Sequence, residues 1–368
     1  MTLLLFAITT LLFTSLVVEK KSPSSSSTTK VSVALCIALG LLGASIEPKE
    51  IYDLARHYTY IDNIRTYGFT LTEYLRYGFL YNDMNFKYAY VYNIILYVIA
   101  KLLPNESLPF MAISLCYASF FYVYIHSNMR ERSSFARLTS IALFSVLLPY
   151  LFIYSGIRNA LASCMVALGV YQYVMKGSIV GPAALSACAI MIHPAACALI
   201  PFVLLAKVRP RVWSCAAIAV FPSLLFKLTE FFRLRLGNEF LFRLSSKYYN
   251  YLLIRNDSQG KVFLYSCIIS VVLIVVMSLL YIYSSKNSAS GICYLITWYA
   301  LFCLGYTSSY ELAVRLPYNI AIFSPVMIVY FFDSDYHNRN MRTLQLFSSL
   351  ILISLSILVL YENAMWLL

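Results

Sequence analysis

Residues 262–284 read VFLYSCIISVVLIVVMSLLYIYS, 23 positions without one charged side chain. A bilayer span needs roughly 20 consecutive apolar residues, because hydrocarbon offers polar groups nothing to pair with. This stretch meets that requirement and reads as a membrane span. Working outward, the rest of the chain has the same character. Of 368 residues, 61% are hydrophobic and 12% charged, and the mean hydropathy is +0.73. A soluble domain carries about 25% charged residues. The expected fold class is therefore an all-α polytopic membrane protein, with residues 1–368 as a single transmembrane domain of about 12 helices. Spans are expected at 2–18, 31–46, 108–126, 138–153, 157–174, 178–194, 196–207, 212–228, 262–284, 290–306, 317–332 and 344–361. The first is read as a retained span with its N-terminus outside. Lys20 and Lys21 follow it, no positive charge precedes it, and it lacks an obvious small-residue cleavage site.

The apolar run 89–103 sets the parity of these crossings. It has only 15 residues and carries Asn93 and Lys101. If it crosses, the basic groups Arg130/Arg132/Arg137 and Lys207/Arg209/Arg211 fall outside. If it does not, they join Lys20, Lys21, Lys30, Lys176, Lys286, Arg339 and Arg342 on the cytoplasmic side, as positive-inside bias requires. The run is thus expected to be an interfacial or re-entrant helix in a long external loop, 47–107. A second external loop, 229–261, breaks the bias. It carries Arg233, Arg235, Arg243, Lys247, Arg255 and Lys261 against Glu230, Glu239 and Asp257. Two readings stand for it: attraction to anionic headgroups, or a surface for an anionic substrate such as a lipid pyrophosphate or acidic glycan.

Topology accounts for most of the net charge of +12, so no nucleic-acid partner is expected. The nine Cys fall in apolar segments without a paired motif and read as small buried hydrophobes. Interfacial anchoring accounts for most of the 32 Tyr, with a sugar-binding surface as the other use. No Walker loop, dinucleotide fingerprint, zinc motif or nucleophile elbow is present. No cofactor is expected.

Ionisable side chains at the ends of apolar runs mark candidate sites, since an unpaired charge near a bilayer is costly. Arg158 lies in Ser155-Gly156-Ile157-Arg158-Asn159 and opens a helix, where free N–H groups and the helix dipole favour anions. It reads as a phosphate clamp or as an interfacial snorkelling Arg. His193, just before Pro194, reads as a phosphate donor or proton shuttle, or as a structural His. Arg315 reads as a site residue or as the partner of Glu311 four positions earlier. Asp53, in Tyr52-Asp53-Leu54-Ala55-Arg56-His57-Tyr58, reads as a general base for a sugar hydroxyl or as a solvated loop charge.

Together these segments resemble the EpsG family of Wzy-type polysaccharide polymerases. Asp53-Leu54-Ala55-Arg56-His57-Tyr58 is similar to that family's external Asp-Leu-x-Arg-Tyr-Tyr motif, with His57 in place of an aromatic residue. Ile157-Arg158-Asn159-Ala160-Leu161-Ala162 is similar to its Ile-Arg-Gln-x-x-Ala helix start. His193 matches the His of a following Phe-His-x-Ser-Ala element, here without the Phe and Ser. Arg315 and Tyr318 resemble a late Arg–aromatic element. The resemblance implies a GT-C-like glycosyltransferase fold in a bacterial inner membrane, with its active site on the periplasmic or extracellular side. It implies polymerisation of oligosaccharide repeat units carried on undecaprenyl pyrophosphate, alongside a flippase and a chain-length regulator. Asp53, Arg158, His193 and Arg315 would be catalytic. Arg56, His57, Tyr58, Asn159 and Tyr318 would bind substrate. No metal is required, because Arg can neutralise pyrophosphate. Two rivals remain: an O-antigen-ligase-like or other lipid-linked sugar transferase, and a transporter of lipid-linked glycans. An internal repeat would favour the transporter, and none is evident.

Overall fold

The computed structural model describes residues 25–48, 53–77, 89–233, 261–284, 291–307, 309–333 and 339–367. The expected span 2–18, Lys20, Lys21, Lys286 and most of the basic loop 229–261 lie outside the described residues. Every regular element among the described residues is a helix. Four helices are long and apolar enough to cross a membrane: Ser107–His126, Ser134–Ser155, Lys261–Tyr283 and Arg342–Glu362. A fifth span arises if the bent pair Leu312–Ala321 and Ser324–Phe332 is counted as one. The chain is a helical membrane protein.

In chain order the helices are α1 Ser25–Ala44, α2 Asp53–Tyr67, α3 Leu71–Tyr77, α4 Tyr90–Leu102, α5 Ser107–His126, α6 Ser134–Leu147, α7 Tyr150–Ser155, α8 Ile157–Lys176 and α9 Val180–Ile192. A 3-10 segment, Pro194–Lys207, follows. Then come α10 Val212–Arg233, α11 Lys261–Ser284, α12 Gly291–Leu304, α13 Tyr310–Arg315, α14 Tyr318–Ala321, α15 Ser324–Asp333 and α16 Arg339–Leu367. The 3-10 rise of about 2.0 Å per residue stretches that segment to roughly 28 Å, against roughly 21 Å for an α-helix of the same length.

Two expected spans are corrected. The run 138–153 begins earlier, at Ser134, and is interrupted before Pro149, which cannot donate to the ladder; Leu148 is already out of helical geometry. The run 317–332 is bent by 67° between Ala321 and Ser324, in a stretch bracketed by Pro317 and Pro325. Arg137 is also corrected. Grouped with a basic loop by sequence, it lies inside α6, almost fully buried, and donates to Ser134 Oγ at 3.0 Å.

Contacts sort the helices by direction. Lys176 Nζ donates to Tyr122 Oη at 2.6 Å, so α5 and α8 run parallel with their C-termini together. Phe135 meets Phe332, and Gln345 Nε2 donates to the Phe331 carbonyl, which brings the starts of α6 and α16 to the end of α15. Arg209 donates to the Ile282 carbonyl and Trp298 Nε1 to the Val208 carbonyl, adding the ends of α11 and of the 3-10 segment. One end of the bundle therefore collects Lys30, Arg132, Arg137, Lys176, Lys207, Arg209, Arg211 and Arg342. The other end holds the C-terminus of α1, tied by Tyr154 Oη to the Ile46 carbonyl at 2.8 Å, together with α2–α4 and the start of α8.

The α1–α5 pair shows how closely these helices approach. Ser114 Oγ donates to the Cys36 carbonyl at 3.0 Å. A Cβ on Gly40 would meet the Phe110 carbonyl oxygen at 2.9 Å and would overlap Ser114. Small residues at such crossings let two backbones touch and gain dispersion contacts. Gly40→Ala is expected to destabilise the protein by about 1–3 kcal/mol. A lowered thermal midpoint in detergent would register it, whereas an unchanged midpoint would mean the pair can part without loss.

Candidate functional site

The first part of the site is a platform of three short helices. In α2 the buried positions Leu54, His57, Ile61 and Ile64 recur every three or four residues, so one face packs inward. Asp53, at the first turn, complements the positive end of that helix. Gly68, at φ +65°, turns the chain out of α2. A capping box then starts α3: Glu73 accepts from the Thr70 N–H at 2.9 Å, and Thr70 Oγ1 accepts from the Glu73 N–H at 3.3 Å. Arg65 fastens α2 to the end of α4. It donates to the Ala100 carbonyl at 3.1 Å and the Leu103 carbonyl at 2.7 Å, while also bonding Asp62 and Asn105. A cation on the last carbonyls of a helix satisfies acceptors that the helix itself leaves open.

The second part is the start of α8. Gly156 separates α7 from α8, and its carbonyl already accepts from the Ala160 N–H at 3.0 Å. Arg158 is the second residue of the new helix. Its guanidinium lies over the Tyr92 ring of α4 at 5.5 Å. Tyr92 in turn meets the His57 ring edge-to-face at 5.3 Å. His57 Nε2 is 3.6 Å from Asp53 Oδ2, and Arg56 is 3.5 Å from Asp53 Oδ1. Asp53, Arg56, His57 and Arg158, from two distant sequence segments, thus form one cluster around Tyr92. Asp53 is no loop charge: it begins a helix and is partly buried.

Burial alone would raise the Asp53 carboxyl. The neighbouring His57, Arg158 and Arg56 outweigh it and hold the carboxyl below the usual carboxylate range. Burial drives His57 the other way from Asp53's attraction and wins, so its imidazole titrates below its ordinary 6.5. The unfolded chain then takes up the His57 proton before the folded chain does. That contribution to stability is fully present above pH 6.5 and is lost as pH falls below it; Asp53 adds the same sign of loss from 3.8 downward. The thermal midpoint is expected to drop between about pH 7.5 and 5.5, and less so in His57→Gln. A midpoint with equal slopes in both proteins would remove His57 as the source.

Other sequence-predicted residues take different positions. Asn159 is buried beside Arg158, and its amide nitrogen has no hydrogen-bond partner among the described residues. Tyr58 is half-buried: burial first, then Glu106, pushes its hydroxyl up. His193 caps the end of α9 and is half-buried. Gly169 of α8 faces Pro182 and Leu185 of α9, and the antiparallel continuation of that register sets His193 level with residues 158–161. Arg315 and Tyr318 flank the break between α13 and α14. Tyr299 Oη fixes that break by donating to the Leu316 carbonyl at 3.2 Å while accepting from Asn319 Nδ2 at 2.7 Å. The side chain of Glu311 lies outside the described residues.

The sequence profile of the EpsG family matches residues 52–365. The chain belongs to the EpsG family. No curated protein and no solved structure matches it. EpsG family members are Wzy-like polymerases, so the cluster sits in a polysaccharide-polymerase type of membrane protein. Tyr92 is the cluster member that sequence reasoning missed. It lies in an apolar run where a Tyr reads as interfacial, and only its contacts with Arg158 and His57 single it out.

Proposed function

We propose that this EpsG family member is a polysaccharide polymerase. It transfers a growing glycan from undecaprenyl pyrophosphate to the sugar end of another lipid-linked repeat unit. The observation that carries this reading is the gathering of Asp53, Arg56, His57 and Arg158 at the bundle end opposite the basic loops. By positive-inside bias that end is external. In this reading the protein is a multi-pass enzyme of the bacterial cytoplasmic membrane with about 12 spans and a GT-C-like fold. Residues 47–107 form an external interfacial element, and the loop 229–261 is a second external, basic one.

Breaking the glycosyl–pyrophosphate bond develops negative charge on the leaving oxygens. Arg158 and Arg315, with His193, would stabilise it as preorganised donors. Asn159 and the first N–H groups of α8 add neutral donors beside Arg158. Asp53 orients the acceptor hydroxyl, Arg56 supplies a second phosphate contact, and the half-buried Tyr58 offers a ring to the sugars, whereas Tyr318 is buried and serves by packing the break beside Arg315. The flippase would supply the substrate and a chain-length regulator would limit the product.

The test is deletion of the gene in a producing cell, followed by complementation, with the lipid-linked glycans resolved by size. Accumulation of single repeat units, and return of a ladder on complementation, is expected. An unchanged ladder after deletion would reject polymerisation by this chain.

A further inference from the structure

We infer that Tyr92 is a positioning residue for Arg158, its ring face fixing where the guanidinium meets the leaving phosphate. The inference rests on the polymerase reading only for its rate readout. Tyr92 is completely buried, although it belongs to a short helix whose other face, Tyr90, Ile94, Val98 and Leu102, is exposed. Its ring is therefore inside the protein, between α2 and α8, and not at the lipid surface.

The geometry of the ring explains its place. The face of an aromatic ring is electronegative and its edge electropositive. Arg158 carries its charge over the Tyr92 ring at 5.5 Å, within cation–π reach. His57 meets the same ring at 5.3 Å with planes 67° apart, an edge-to-face contact. Asp53 is 3.6 Å beyond His57. One ring thus connects the Arg158 side of the cluster to the Asp53 side. Arg65, bonded to the carbonyls at the far end of α4, limits sliding of that helix along α2. A guanidinium on a flexible stem loses preorganisation unless something fixes its plane, and a stacked ring does so without neutralising it.

Two measurements on the full chain test this. The first needs no activity. The purified protein in detergent is treated with phenylglyoxal, and modification of Arg158 is followed by peptide mass spectrometry. Tyr92→Phe keeps the ring and should leave the rate unchanged. Tyr92→Leu removes it and should raise the rate about tenfold. Tyr92→Met serves the same purpose where Tyr92→Leu does not accumulate. The second follows ladder growth in membrane vesicles containing the native lipid-linked repeat unit. Tyr92→Phe should stay within about twofold of wild type, and Tyr92→Leu should fall about tenfold. Equal modification rates in all variants would overturn the inference. So would a loss in Tyr92→Phe as large as in Tyr92→Leu. A wild-type protein that builds no ladder would reject the polymerase reading alone, and the phenylglyoxal rates would still decide the role of Tyr92.

Discussion

Arg158→Ala is expected to stop chain growth, lowering turnover by at least about a hundredfold while protein level stays normal. The side chain sits at the second position of α8, against the Tyr92 ring and in the electrostatic reach of Asp53. In the polymerase reading, removing it takes away a cation already in place when the pyrophosphate leaves, and solvent does not replace a preorganised donor. Arg158→Lys should recover part of the loss. It keeps the charge but not the planar fork that grips two phosphate oxygens or stacks on a ring. Size-resolved lipid-linked glycans alongside an immunoblot would read both variants. A full ladder from Arg158→Ala at normal protein level would take Arg158 out of the site.

Asp53→Asn should be the second most damaging change, at about a hundredfold or more. The carboxyl is held below its usual range, so it stays ionised across physiological pH and is a weak proton acceptor. Its value lies in its charge, which faces His57 and Arg56 directly and attracts Arg158. The rate of the wild-type protein is therefore expected to show no acid limb attributable to Asp53 between about pH 5 and 8. Asp53→Asn should lower the whole profile without changing its shape. An acid limb in that window that vanishes in Asp53→Asn would instead make Asp53 the base.

The helical, membrane-embedded character was legible because the apolar runs are long and the charges sit between them. The Asp53 and Arg158 motifs were legible because ionisable groups beside apolar runs stand out. What escaped was set by partners far away in the chain. Arg137 reads as a loop charge until α6 is seen to enclose it. Tyr92 is one Tyr among 32, distinguished only by its contacts with His57, 35 residues earlier, and Arg158, 66 residues later. The bend of 67° within the run 317–332 leaves hydropathy nearly untouched, so an apolar average passes straight across it.

The close crossing of α1 and α5 bears on how the protein is made. The Ser114–Cys36 bond joins residues 78 positions apart, and the whole platform lies between them in the chain. At about 5–20 residues per second, the ribosome needs roughly 4–16 s to deliver α5 after α1. During that interval the Gly40–Gly43 face of α1 waits without its partner. The helices α2 and α4 emerge in the same window, before the pair can close. Biogenesis of the α1–α5 pair thus depends on α1 persisting as a helix until α5 arrives, a demand on its sequence that is separate from anything the finished fold requires.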